Sequence, residues 1–271
     1  MAWTKATTSA VVIVSLLVVG VATTVVVKKV ERARAVARYN ERRLHVWPEE
    51  RQLEAERIQS RQQIDETSNA ATIDLTPYIN AKLTEAPLCW KGNNADNLSE
   101  LPTGKHTYAG VPFDVEGSIQ LMGGWLKHYH KTYPAEVDSI RIDRTCTKIH
   151  LLQGNGFIAY TNFDTLVSKL IIHYVDGSTR ELDLVAGKQS FDWWAPLFKS
   201  GVPEKYLQTA PGTERAWTGS NAYIREWQPE LSLVLYKTTF DNPQPAVEIS
   251  AVDFVSTETI TCPFLVGLTV E

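Results

Sequence analysis

Cysteine is scarce in this chain. Cys89, Cys146 and Cys262 are the only three in 271 residues, far apart and without a Cys-x-x-Cys pair. That pattern excludes a zinc ribbon, a thioredoxin-like redox motif and a dense disulfide scaffold. Excess positive charge is lacking as well: 27 Lys and Arg stand against 31 Asp and Glu, for a formal charge of -4. A generally basic nucleic-acid binder is therefore disfavoured. No Gly-x-Ser-x-Gly elbow, no phosphate-binding Walker loop and no dinucleotide fingerprint occurs, so the common signatures of hydrolase, nucleotide and dinucleotide chemistry are missing. Aromatic residues are plentiful by contrast, with eight Trp, ten Tyr and eight Phe.

Charge is absent from one long stretch, the 22 residues from Ala6 to Val27, which are rich in Val, Leu, Ile and Ala. A helix of that length crosses about 30 Å of hydrocarbon, and the span 6–27 is expected to anchor the chain in a membrane. A cleaved signal peptide is the competing reading, because Lys5 supplies a basic start and Gly20-Val21-Ala22 supplies small residues for cleavage. Continuation of the apolar run through Val25, Val26 and Val27 to the Lys28-Lys29 stop favours the retained anchor. Lys28, Lys29, Arg32, Arg34 and Arg38 follow the span, and this bias alone places the C-terminal part on the cytoplasmic side.

Residues 28–66 hold ten Lys/Arg and eight Asp/Glu, no Gly and a single proline, Pro48. This composition predicts a charged helical stalk laced with local ion pairs, interrupted after Trp47. Its apolar residues keep no heptad register, so a coiled coil is not expected; lying along the membrane is the alternative to standing away from it. A polar segment at 67–72 marks the boundary of a domain that runs 67–271.

That domain reads as all-β. Short segments rich in β-branched and aromatic residues recur at Ser118–Leu121, Ser139–Ile142, Lys148–Leu152, Lys169–Tyr174, Leu231–Tyr236, Val247–Phe254 and Phe264–Val270. Asp176-Gly177 is the strongest hairpin turn. No long amphipathic helix alternates with these strands, which selects an antiparallel jelly-roll-like sandwich over a parallel α/β sheet.

Several segments carry a resemblance: Ile73-Asp74-Leu75-Thr76-Pro77-Tyr78-Ile79-Asn80, Gly110-Val111-Pro112-Phe113-Asp114-Val115, Ile149-His150-Leu151-Leu152-Gln153-Gly154, Asp192-Trp193-Trp194 and Ala216-Trp217-Thr218-Gly219-Ser220-Asn221. Over residues 72–271 the chain resembles β-sandwich domains of the galactose-binding-like fold, including carbohydrate-binding modules. It is also similar to C-terminal extensions of some bacterial extracytoplasmic-function sigma factors, in which a membrane segment divides the two parts. No sigma-like helical region stands before the span here, so their DNA-binding chemistry is not expected. That resemblance implies a sandwich outside the cytoplasm, at the cell surface or in the periplasm, against the charge bias.

Sugar rings present apolar C–H faces, which stack on Trp and Tyr beside amide, carboxylate and guanidinium groups that bond the hydroxyls. Asp192, Trp193, Trp194, Arg215, Trp217 and Asn221 supply that mixture as the expected ligand site, with Tyr223, Arg225 and Trp227 nearby. Packing of the same aromatics in the core is the alternative, and one of the two adjacent tryptophans on a strand must face away from the core. Gly92 to Asn97 offers oxygen ligands without EF-hand spacing and reads as a turn. His128-x-His130 lacks a third metal ligand and reads as a surface pair. A non-catalytic module that binds glycan is the expectation, with no cofactor and no nucleic-acid partner. A protein-interaction domain acting through the stalk or sheet is the alternative, and a hydrolase with an unfamiliar site comes after it.

Overall fold

Alternation of inward and outward side chains organises the strands. In the strand Leu166–Tyr174, Leu170, Ile172 and Tyr174 enter the core, while Lys169, Ile171 and His173 face the other way. The computed structural model describes residues 70–86, 95–195 and 210–271. All of them belong to the second of the two units into which the chain divides, Glu56–Glu271. The expected span at 6–27 and stalk at 28–66 lie outside the described residues. Among the described residues, no helix is long and apolar enough to cross a membrane.

The described strands are β1 (Ala71–Thr72), β2 (Gly104–Tyr108), β3 (Val111–Val115), β4 (Ile119–Gln120), β5 (Glu136–Arg144), β6 (Lys148–Gly156), β7 (Leu166–Tyr174), β8 (Thr179–Val185), β9 (Trp194–Ala195), β10 (Thr213–Gly219), β11 (Ser232–Asp241), β12 (Ile249–Ser256) and β13 (Cys262–Val270). Two short helices, α1 (Gly124–His128) and α2 (Ala222–Trp227), and a 3-10 turn at Ile158–Tyr160 accompany them. One sheet runs β1-β13-β6-β11-β10, with β4 added on β13 and β9 on β11. The second runs β5-β12-β7-β8. All strand pairings are antiparallel.

Ile149, Leu151, Leu265 and Leu268 of the large sheet meet Ile140, Leu170, Ile172, Val252 and Phe254 of the small one in a single core. The domain is therefore an antiparallel β-sandwich. Each such side chain taken fully from water contributes about 1.5–3 kcal/mol. A second core covers the opposite face of the large sheet. Here Phe113 and Val115 of the β2–β3 hairpin, Leu126 of α1, Ile224 of α2 and Trp193 pack on Leu152, Phe264 and Val266. This explains why β13 is buried along its whole length, where a sandwich strand with one wet face would alternate.

The Asp176-Gly177 turn forms as expected in place but differs in type. Gly177 alone takes a positive φ, 84°, and its N–H donates to the Tyr174 carbonyl at 3.0 Å, giving a three-residue loop. The two-residue turn belongs to β2–β3, where Ala109 and Gly110 have φ values of 48° and 78°.

Candidate functional site

The aromatic and polar stretch from Asp192 to Trp227 is divided by the fold between core, cap and surface. Trp193 is a core residue, 5% exposed, with its ring edge-on to Phe264 at 5.9 Å and 87°. Trp194 does not turn away from that core: half-buried, it packs against the same core with its ring 6.4 Å from that of Trp193 and stacked on Tyr223 at 5.8 Å and 29°. Trp217 is also half-buried, and a Cβ at Gly219 would overlap its ring. Arg215 is exposed. Arg225 is exposed and pairs with Glu100, and Trp227 is 51% exposed at the end of α2.

Asn221 serves the fold. Its Oδ1 accepts from the Ile224 N–H at 2.7 Å, capping α2. Its Nδ2 donates to Asp96 Oδ1 at 2.9 Å and to the Asn97 carbonyl at 3.0 Å. It is 1% exposed, so no polar atom is offered to a ligand. Asn97 in turn accepts from the Ser99 N–H and donates to the Thr84 carbonyl, which is turn chemistry. Gly92 to Asn94 lie outside the described residues. Among the described residues no group of three or more His, Cys, Asp or Glu is placed to hold a metal.

Asp192 sits between two aromatic groups. Its Oδ1 accepts from the Trp194 N–H at 3.0 Å and its Oδ2 from the Ala159 N–H at 3.4 Å, within the turn Ile158–Tyr160. The residue keeps some surface, but its carboxyl group is enclosed, and desolvation pushes its pKa up to about 7 against the lowering effect of these N–H groups. The charge of Asp96 adds to the rise. Tyr236 donates its hydroxyl to the Asp192 carbonyl at 3.3 Å and is itself pushed up to about 12 by burial, opposed by the guanidinium of Arg215.

On the far side of Asp192 lies a ring cluster that sequence reading did not assemble. Trp125 of α1 meets Phe157 at 5.3 Å, Tyr160 at 5.4 Å, Tyr129 at 5.6 Å and His128 at 5.4 Å. Tyr160 is 64% exposed and Ile260, beside α1, is 38% exposed. Trp125, Tyr129 and Phe157 are half-buried and His128 is exposed. Two glycines bring α1 down onto the chain before β13. A Cβ on Gly123 would overlap the Thr261 carbonyl, and the Gly124 N–H donates to the Thr259 carbonyl at 2.7 Å. Phe157 holds a left-handed backbone, φ 66°, which is unusual for a bulky residue. The signals for this cluster are Gly123-Gly124-Trp125 and Gly156-Phe157-Ile158-Ala159-Tyr160, two short aromatic segments beside glycines.

Other polar features have smaller scope. A narrow pocket lined by Leu83, Gln120, Trp193 and Phe264 has room for a water-sized group beside Gln120 Oε1, which has no protein partner. His173 Nε2 lies 2.5 Å from Asp253 Oδ2 on the outer face of the small sheet. Asp253 Oδ1 is occupied by the Ser139 N–H, and Ser250 Oγ donates to the His173 carbonyl rather than to its ring. Neither serine is thereby set up as a nucleophile on that histidine. Cys146 and Cys262 are buried free thiols, the latter pushed up to about 12 by desolvation, which makes it a poor nucleophile.

No family model, curated protein or solved structure matches the chain.

Proposed function

We propose that the chain is a membrane-tethered, non-catalytic binding module that takes carbohydrate at one end of its sandwich. In this reading the jelly-roll-like, galactose-binding-like domain is carried by the span 6–27 and the stalk 28–66, outside the cytoplasm. The observation that carries it is the ring cluster of Trp125, Tyr129, Phe157 and Tyr160. Trp125 and Phe157 pack against the second core, and Tyr160 stands on them at the surface, 64% exposed. Exposed aromatic faces stack on sugar C–H faces, and the side chains of His128 and Lys127 at the rim supply hydrogen-bond donors for hydroxyls. Trp194, Tyr223 and Arg215 extend the surface across Asp192. Trp193 and Asn221 are left out of the site, because core packing and helix capping already occupy them.

The test is a glycan array probed with the full chain in a polyoxyethylene detergent, which carries no sugar of its own. Saturable binding to a defined set of glycans, lost on Tyr160→Ala, supports the reading. Binding to no glycan contradicts it and moves the protein-interaction reading into its place.

A further inference from the structure

One wall of the ring cluster is rich in basic groups, and the acidic residues Glu258 and Asp164 near it in the fold are paired with Lys127 and Lys188. From Trp125 to Lys131 the sequence holds Lys127, His128, His130 and Lys131 and no Asp or Glu, within a protein of formal charge -4. The other wall, Gly156 to Phe163, contains no charged residue at all. Lys127 is paired with Glu258, while His128 and His130 are exposed and Lys131 is half-buried. We propose that this surface takes an acidic sugar, a pyranose unit bearing a carboxylate, one ring at a time. This rests on the carbohydrate reading above and adds the ligand's charge and shape to it.

The charge argument is one of complementarity. The hydroxyls of a neutral glycan take only ordinary hydrogen bonds from such a rim, whereas a carboxylate beside Lys131 and the two imidazoles forms the stronger charge-assisted ones. The shape argument comes from the ring planes. Trp125 and Tyr160 are inclined at 67°, Phe157 and Tyr160 at 50°, and Trp125 and Phe157 at 32°. An extended polymer ribbon lies flat on coplanar rings, but inclined rings make a corner. In a corner the exposed face of Tyr160 receives one sugar ring while Trp125 closes its edge. The corner is held in place from below, since the turn carrying Tyr160 is bonded through the Ala159 N–H to Asp192. Its backbone is further constrained at Phe157, φ 66°, and at His130, φ 54°, on the two sides of the cluster. Such left-handed conformations persist in bulky residues only where their surroundings enforce them.

The test uses the full chain in polyoxyethylene detergent micelles. It is titrated calorimetrically with short oligomers of galacturonate, glucuronate and mannuronate, and with the neutral oligomer that matches each. At least one acidic oligomer is expected to bind about tenfold more tightly than its neutral counterpart. The gap should narrow as salt rises from 0.05 to 0.5 M. Lys131→Gln should narrow it too, and Tyr160→Ala, a change at an exposed position, should weaken acidic binding about tenfold with the melting temperature unchanged. If neutral oligomers bind as well as acidic ones, the acidic-sugar inference falls and the carbohydrate reading stands; if none of these oligomers binds, the inference falls, and the carbohydrate reading falls with it only when the glycan array is empty as well. Soluble glycerophosphoserine serves as a further arm. Tyr160-dependent binding of this lipid headgroup, without uronate binding, overturns the inference and assigns the surface to an anionic membrane.

Discussion

Replacing Asp192 by Asn should change the pH dependence of folding more than its midpoint. The carboxyl group is enclosed between β9 and the turn Ile158–Tyr160, and its pKa is raised from the ordinary aspartate value of 3.8 to about 7. The folded protein therefore binds this proton more tightly than the unfolded chain does. Stability from this group is complete below pH 4 and is lost as pH rises toward and through 7. Between pH 5 and pH 8 the loss amounts to about 2.5 kcal/mol, from about 1.4 kcal/mol for each tenfold change in proton activity while only the folded state stays protonated. Asparagine carries no charge, so Asp192→Asn removes that slope. It retains one carbonyl acceptor for the Trp194 N–H or the Ala159 N–H and loses the other bond, at about 1 kcal/mol. The variant should be less stable than wild type at pH 5 and more stable at pH 8. Urea unfolding of residues 56–271, followed by tryptophan fluorescence at half-unit pH steps, measures both curves. His150, which burial shifts downward, loses stability as pH falls through the range of an unfolded histidine, and it does so in both proteins. Taking the difference between the curves cancels it. Parallel curves from pH 5 to 8 would refute the enclosure of Asp192.

Three further expectations concern the elements around the site. Trp193→Ala should cost about 3–5 kcal/mol in urea unfolding, since it empties the core against Phe264, whereas Trp194→Ala should cost markedly less. Asn221→Ala should lose about 1 kcal/mol for the α2 cap and about 1–3 kcal/mol more because buried Asp96 loses its amide donor; Asn221→Ser should recover only the cap. Gly123→Ala should push α1 away from Thr261, seen as lower thermal stability together with a shift in Trp125 emission.

The sandwich was legible because most of its strands are periodic and their turns carry a chemical signature. Lys169–Tyr174 is rich in β-branched and aromatic residues, with Lys169 and His173 on the face opposite Leu170, Ile172 and Tyr174, and the Asp176-Gly177 pair marks its end. The β2–β3 hairpin was not found, because Gly104–Tyr108 shows little apolar alternation and Ala109 adopts a positive φ that its type disfavours. The second core was equally hidden. It is built by α1 and α2, of five and six residues, too short to display a helical period. In the sequence, the mixture of aromatic and polar residues is richest along one continuous stretch, Asp192 to Trp227. The structure instead gathers Trp125 with Phe157 and Tyr160, neighbours only through the docking of α1 on the chain before β13. Asp192 alone of the expected set bonds the turn that carries Tyr160. His128 and His130, read as a surface pair without a third ligand, prove exposed, and their value lies in the aromatic company of His128 rather than in metal geometry.

Carbohydrate binding at this surface requires sugar C–H groups to meet the rings of Tyr160 and Trp125. Nuclear Overhauser contacts between a glycan selected on the array and the protein measure this directly. Cross-peaks from pyranose ring protons to the ring protons of Tyr160 and Trp125 are the predicted result. Contacts confined to other residues, with those two rings silent at saturating glycan, would contradict it.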